Sequence, residues 1–381
     1  MEFRLWHYFA IFHLIWGVII SRWLYRLLHG GLDHLLKEDP EYAKQFEPFR
    51  RKDIRNWNLY EIYFCAIFLL PYRFAANMIL LVILGVLCKA LTFGVDLNKE
   101  MSLWRRLMIR GVTAGLTRLM LYCCGVYHIE RKYHKITDFD PTYPKELLKR
   151  KERAPIVVSN HISFLDVFYF AVCRHNPCFM AKREIADWPI IGWIVRCKQG
   201  VFVKREDRTN KDAVLAGIKE RVRQVQSGQH YPPMVIFPEG TTTNGSAVMT
   251  FKRGAFASLA PVRVMCLEYP RKDFNPAYDN MNLMVTFVLM LSHFYMRIRV
   301  HDMGVYYPDH LNLKEESDWE IYASKVQQIV AKCLNVPVNP MSLRERMEYY
   351  YYTEGLKEKF KKERSKKKNE LAENAAKTKR E

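Results

Sequence analysis

In the run Val157-Val158-Ser159-Asn160-His161-Ile162-Ser163-Phe164-Leu165-Asp166 a short apolar strand stops and a helical pattern starts. His-x4-Asp alone is weak. Twelve His and 15 Asp in 381 residues give about half a match by accident, and His34 with Asp39 is a second one, in a polar connection with no strand beside it. Position separates the two. Five residues along an ideal helix turn the direction by about 140°, so a helical pair points apart, whereas a pair in a strand-to-helix turn can meet. A carboxylate on one ring nitrogen fixes the tautomer and leaves the other nitrogen to take a proton from a hydroxyl. An isolated match reads more simply as a His that caps a helix, so the rest of the chain has to carry the case.

Working outward, short β-type runs alternate with helical patterns. Residues 154–159, 200–203, 233–237 and 262–267 read as strands, and residues 164–174 and 210–228 as helices. This alternation predicts an α/β fold, a mixed sheet flanked by helices, and the continuously apolar strands are those of a buried sheet. A second apolar run, residues 281–294, precedes a strand-like stretch, 296–305, and an amphipathic helix over 319–334. No repeat of 20 to 50 residues recurs.

Upstream the texture is membrane-like. An aromatic-rich apolar run covers residues 5–20, short for an upright span and suited to a tilted or interfacial helix. An amphipathic targeting segment is the alternative, since Arg4, Arg22 and Arg26 face only Glu2. Residues 74–95 carry Lys89 as their one charge, and 22 residues match a bilayer core. With residues 62–70 just before, and Pro71-Tyr72-Arg73 between, the pair could instead form a hairpin in one leaflet, and a buried soluble helix is the simplest competitor. Residues 103–127 place Arg105, Arg106, Arg110 and Arg118 among apolar residues, as in a helix lying on anionic lipid or an amphipathic core helix.

Composition narrows the partners. With 49% hydrophobic and 26% charged residues, 17 Gly and 17 Pro, the chain is neither disordered nor collagen-like. A net charge of +19 calls for a polyanionic neighbour, and the apolar runs favour membrane headgroups over nucleic acid. The nine cysteines are scattered, without a Cys-x-x-Cys pair, and read as reduced thiols rather than zinc ligands. Residues 357–381 hold 11 Lys or Arg against 5 Glu, a charged helix or flexible tail.

Two further stretches complete the chemistry. The strand 233–237 runs into Pro238-Glu239-Gly240-Thr241-Thr242-Thr243-Asn244-Gly245, where backbone amides beside glycine can approach a polar headgroup closely. Gly200-Val201-Phe202-Val203-Lys204-Arg205 puts two cations at the end of a β run, where a phosphate can be held. Each alone is an ordinary turn or surface pair.

Together and in this order, these stretches resemble the glycerolipid acyltransferase family, which moves acyl groups from acyl-CoA to glycerol phosphates and lysophospholipids. SNHISFLD, FMAKREIADWPIIGWI, FPEGTTTNG, TFKRGAF and LEYP are similar to the branch acting on lysophosphatidylcholine and lysophosphatidylethanolamine. The likeness covers residues 154–307 and more faintly the helix to 337. With the apolar runs upstream and the basic run at the end, it divides the chain into a membrane-associated helical region at 1–128, an acyltransferase domain at 129–337 and a basic helical or flexible tail at 338–381. It also implies His161 and Asp166 as base and partner, Arg205 with Lys204 as phosphate ligands, and Glu239, Gly240 and Thr241 as residues that position the glycerol. Neither metal nor cofactor is implied, and acyl-CoA, lysophospholipid and membrane lipids are the expected partners. Protein partners are expected through the N-terminal helices or the tail.

The chain departs from the family at Val264, where a proline is expected in a block that lines the acyl or acceptor pocket. Calcium-binding hands have no counterpart. Lys377-x-Lys379 near the C-terminus resembles a dilysine signal, which implies endoplasmic reticulum, with a mitochondrial membrane as the alternative. The rival to the enzyme is a non-catalytic scaffold or accessory subunit that keeps the fold.

Overall fold

The structure is a computed structural model that describes residues 5–36, 40–203, 209–278 and 281–356. At its centre stands a sheet of seven strands: β1 (Ile129–Tyr133), β2 (Ile156–Ser159), β3 (Cys178–Lys182), β4 (Val201–Val203), β5 (Met234–Ile236), β7 (Val262–Glu268) and β8 (Ile298–Tyr306), in the order β1-β8-β7-β2-β5-β3-β4. A small second ladder pairs β6 (Val248–Met249) with β9 (Val338–Asn339). The five strands from β7 to β4 run parallel, and β8 and β1, parallel to each other, run against β7. The mixed sheet expected from the sequence is therefore present.

Alternation along the central strands sorts side chains into two cores. Val157, Val235, Met265 and Leu267 face one helical layer, and Ile156, Val158, Met234, Val264 and Cys266 face the other. Full burial of Ile156, Val157 and Val158 stabilises the sheet by about 1.5–3 kcal/mol per side chain. The first layer holds α1 (Leu5–Arg26), α4 (Leu59–Phe68), α5 (Leu70–Leu91), α6 (Leu103–Cys123), α7 (Leu165–Val172) and α10 (Leu283–Leu291), and the short α2 (Asp33–Leu36) and α3 (Pro40–Gln45) link α1 to α4. The second layer holds α9 (Thr209–Gln226) and α11 (Trp319–Leu334), while α8 (Ile191–Cys197) packs on α5.

The N-terminal helices are bolted to the sheet layer by polar contacts as well as by packing. Arg271 pairs with Glu61 of α4 at 2.5 Å and with Asp273 at 2.6 Å, and Glu61 also accepts from the Phe294 amide at 2.7 Å. Arg73 donates to the carbonyls of Leu291, His293 and Phe294. The break between the two apolar segments falls at Leu69 rather than at residues 71–73. Pro71 sits in the first turn of α5, where its missing N–H costs nothing, and Leu69 itself is helical (φ −109°, ψ −37°). The two helices thus meet at a one-residue elbow.

Both α5 and the helical stretch 5–31 are long and apolar enough to cross a membrane, and only 22% of each apolar window is buried against protein. Such exposure removes the buried core helix as a reading of α5. In α6, Ile109, Thr113 and Thr117 pack inward while Leu103, Trp104, Leu107 and Met108 stay exposed, so the helix is amphipathic, packed on one side and apolar on its open side.

Residues 338–356, assigned to the tail by sequence, join the fold. A capping box, Ser342 with Glu345, starts α12 (Leu343–Thr353). Tyr349 is buried against Phe46, and Tyr352 stacks on Tyr42 with ring centroids 4.1 Å apart. The basic stretch 357–381 lies outside the described residues.

Candidate active site

The site forms at the C-terminal edge of the parallel strands, where β2 ends at Ser159 and β5 at Ile236. Asn160 fastens the chain leaving β2 to β7: its amide donates to the Leu267 carbonyl at 3.0 Å and its oxygen accepts from the Leu267 N–H at 2.8 Å. His161 follows in the turn before α7. Its Nδ1 lies 2.8 Å from Oδ2 of Asp166, a contact that the turn permits and a continuous helix would not.

Asp166 is fully buried and surrounded by donors. The amides of Ile162 and Ser163 donate to the same Oδ2 at 2.8 and 3.0 Å, and the Tyr269 hydroxyl donates to Oδ1. A carboxylate only accepts, so His161 Nδ1 carries the proton and Nε2 is the acceptor nitrogen. Among the described residues Nε2 has no hydrogen-bond partner, and the His161 side chain is 22% exposed against 0% for Asp166. The ring is held from one side by Phe237, stacked at 4.0 Å and 12°. Burial, with the Asp166 charge beside it, pushes the Tyr269 hydroxyl well above its usual range, so it stays a donor at neutral pH.

Glu239, in the loop after β5, is fully buried. Its two oxygens accept from the amides of His161 and Met249, each at 3.0 Å. Burial pushes its carboxyl up to about 8, opposed by those two amides. Its contacts are to main chain, so it holds the His161 turn rather than facing a substrate directly. Gly240 is exposed with φ +67°, and a Cβ there would sit 2.5 Å from Lys252 Nζ. The Thr241 hydroxyl accepts from Arg346 of α12 at 2.8 Å. The Thr243 amide donates to the His161 carbonyl at 3.0 Å, and the Asn244 side chain ties the loop to the carbonyls of Glu47 and Arg50. A cavity of about 160 Å³ opens beside this loop, lined in part by Ile162, Gly245, Leu267 and Tyr269.

The structure therefore brings together His161, Asp166 and the 239–241 loop. Lys204 and Arg205 lie outside the described residues, but β4 runs parallel to β3 and ends at Val203, on the edge where His161 stands. Val264 is fully buried in the second core, packed between strand and helix rather than lining an open pocket. Sequence reading assigned no role to Tyr269 or Arg346. The LEYP stretch contained the first, but only the β7–β2 pairing shows that it reaches Asp166.

Comparison with known proteins agrees with the motifs. Residues 141–267 match the family model described as Acyltransferase. The chain is 29% identical over 350 residues to a lysophospholipid acyltransferase of Arabidopsis thaliana, an alignment covering 81% of this chain and 87% of that protein. It is 30% identical to a lysophosphatidylcholine acyltransferase of Drosophila melanogaster (75% of this chain, 51% of that one) and 28% identical to a lysophospholipid acyltransferase of Xenopus tropicalis (81% and 56%). It thus spans about half the length of the last two. Among solved structures, the 1-acyl-sn-glycerophosphate acyltransferase PlsC of Thermotoga maritima aligns with a TM-score of 0.47 and 16% identity, over 70% of this chain and 95% of that one.

Proposed function

Residues 141–267 make this chain a member of the acyltransferase family, and from that premise we propose that it transfers an acyl group from acyl-CoA to the free hydroxyl of a lysophospholipid at a membrane surface. The observation that carries the reading is the His161–Asp166 pair, built into a strand-to-helix turn by four donors on one carboxylate while Nε2 stays unengaged.

In this reaction Nε2 of His161 takes the proton of the glycerol hydroxyl as its oxygen bonds to the thioester carbonyl carbon. The C–S bond then breaks, and the proton passes from the imidazolium to the departing CoA thiolate. Asp166 orients the ring and offsets the imidazolium charge. Arg205, helped by Lys204, holds the acceptor's phosphate. Gly240 and Thr241 border the glycerol, and Glu239 acts behind them by fixing the His161 amide. Lysophosphatidylcholine, lysophosphatidylethanolamine and lysophosphatidic acid are the candidate acceptors.

Both substrates carry long chains that partition into lipid, and the exposed apolar faces of α1, α5 and α6 are far larger than a soluble surface tolerates. We place these helices in or on the bilayer, with the endoplasmic reticulum as the expected membrane. Purified protein in lipid vesicles, given labelled acyl-CoA and each lysophospholipid in turn, should form the diacyl product of at least one. Failure with every acceptor, while the protein is folded and bound to the vesicles, would favour a scaffold.

A further inference from the structure

On the sheet face away from α7, three side chains from distant parts of the sequence converge. His134 follows β1, His301 lies in β8 and Cys333 in α11, and one donor atom from each lies within 4.8 Å of the other two. Topology explains the meeting. Parallel pairing sets Lys132 against His301, antiparallel pairing sets Cys266 against His301, and Glu268 pairs with Arg299. With a side-chain period of two, His134, His301, Cys266 and Glu268 all fall on one face. The α11 helix covers that face and delivers Cys333.

We propose that His134, His301 and Cys333 form a site for a borderline transition-metal dication, zinc by its donor set of two imidazoles and one thiolate. The geometry is close to what the ion needs. His134 Nε2 and His301 Nδ1 are 3.0 Å apart, and tetrahedral zinc sets two nitrogens about 3.3 Å apart and nitrogen and sulfur about 3.5 Å apart. A second observation points the same way. His301 directs its other nitrogen, Nε2, to Glu268 Oε2 at 2.8 Å, the carboxylate support that orients a metal-binding imidazole and fixes Nδ1 as the ligand. Arg299 holds that carboxylate at 3.3 Å. His301 is buried while His134 and Cys333 are half-buried, which leaves a path for the ion. Water, or the neighbouring Cys266, completes the coordination. Bound metal would clip edge strand β1, β8 and α11 together, apart from the His161 turn.

The test uses untagged full-length protein purified without chelator, and its readout does not depend on acyl transfer. Zinc content should be about one per chain. Cobalt exchanged into the site should show tetrahedral d–d bands and a thiolate-to-cobalt charge-transfer band. Cys333→Ser should lose that band and most of the zinc, Glu268→Gln should bind zinc about 10–100-fold more weakly, and Cys123→Ser, a thiol elsewhere, should match the parent. Parent protein that binds no zinc or cobalt stoichiometrically, or binds cobalt without a thiolate band, overturns the assignment. That spectrum is read on the parent itself, so it decides the matter even if a variant fails to fold.

Discussion

Replacing Asp166 separates two roles that one carboxylate combines. In Asp166→Ala, the Ile162 and Ser163 amides and the Tyr269 hydroxyl all lose their acceptor in a buried place. Each unsatisfied donor costs about 1–3 kcal/mol, so the sum approaches the whole stability of a domain, about 5–15 kcal/mol. That variant reports on folding. Asp166→Asn is the informative change. Two fixed main-chain N–H groups and the His161 ring nitrogen converge on Oδ2, so the asparagine oxygen must occupy that position and its amide must face Tyr269, whose oxygen can accept. The turn and the tautomer survive, and the negative charge does not. At a charge separation of about 4 Å and an effective dielectric constant of about 20, the lost attraction on the imidazolium is about 4 kcal/mol, or roughly a thousandfold in rate. Release of free CoA thiol in the presence of lysophospholipid measures this, beside a thermal melt. Asp166→Asn turning over within about threefold of the parent, with an unchanged melt, would refute the electrostatic role assigned to the carboxylate.

Three further outcomes follow from the same geometry. Glu239 keeps its proton in the folded state up to about pH 8, whereas the unfolded chain releases it near its usual 4.5, so the folded form binds more protons between these values. Stability should fall as pH rises through that window, with a slope of up to about 1.4 kcal/mol per pH unit from this group, and denaturant melts of Glu239→Gln should lack that component. Gly240→Ala forces a side chain into φ +67° and against Lys252, and should lose about 1–3 kcal/mol of stability together with activity, read by melt and thiol release. Binding to vesicles should persist on zwitterionic lipid at high salt because exposed apolar helices drive it, while the extra affinity for anionic vesicles should disappear as salt screens Arg105, Arg106 and Arg110; sedimentation with vesicles checks this.

The central sheet was legible where apolar strands abut residues of distinct chemistry. The edges of β2, β5, β7 and β8 fall within about two residues of expectation, and the helix over 319–334 matches α11. The strand β1, Ile-Glu-Arg-Lys-Tyr, was not legible because an edge strand buries little beyond its first residue. Without that strand the place of His134 could not be read. The same limit hid the His134–His301–Cys333 cluster, since spacing rules look for ligands near in sequence and these meet only through strand order and α11. In the His161 turn, sequence identified the pair but not its supports, because Tyr269 and the Glu239 contacts depend on which strands lie side by side. The α4–α5 break was expected at a proline. It falls at Leu69 because Pro71 suits the first turn of a helix better than the gap between two.

The proposed mechanism turns on removal of the acceptor's proton by Nε2 of His161. A single-turnover measurement of acyl transfer to lysophospholipid, comparing the parent with His161→Ala at matched folding and vesicle binding, tests it most directly. His161→Ala should form product no faster than the uncatalysed background, and product formed at the parent's rate would show that His161 is not the base.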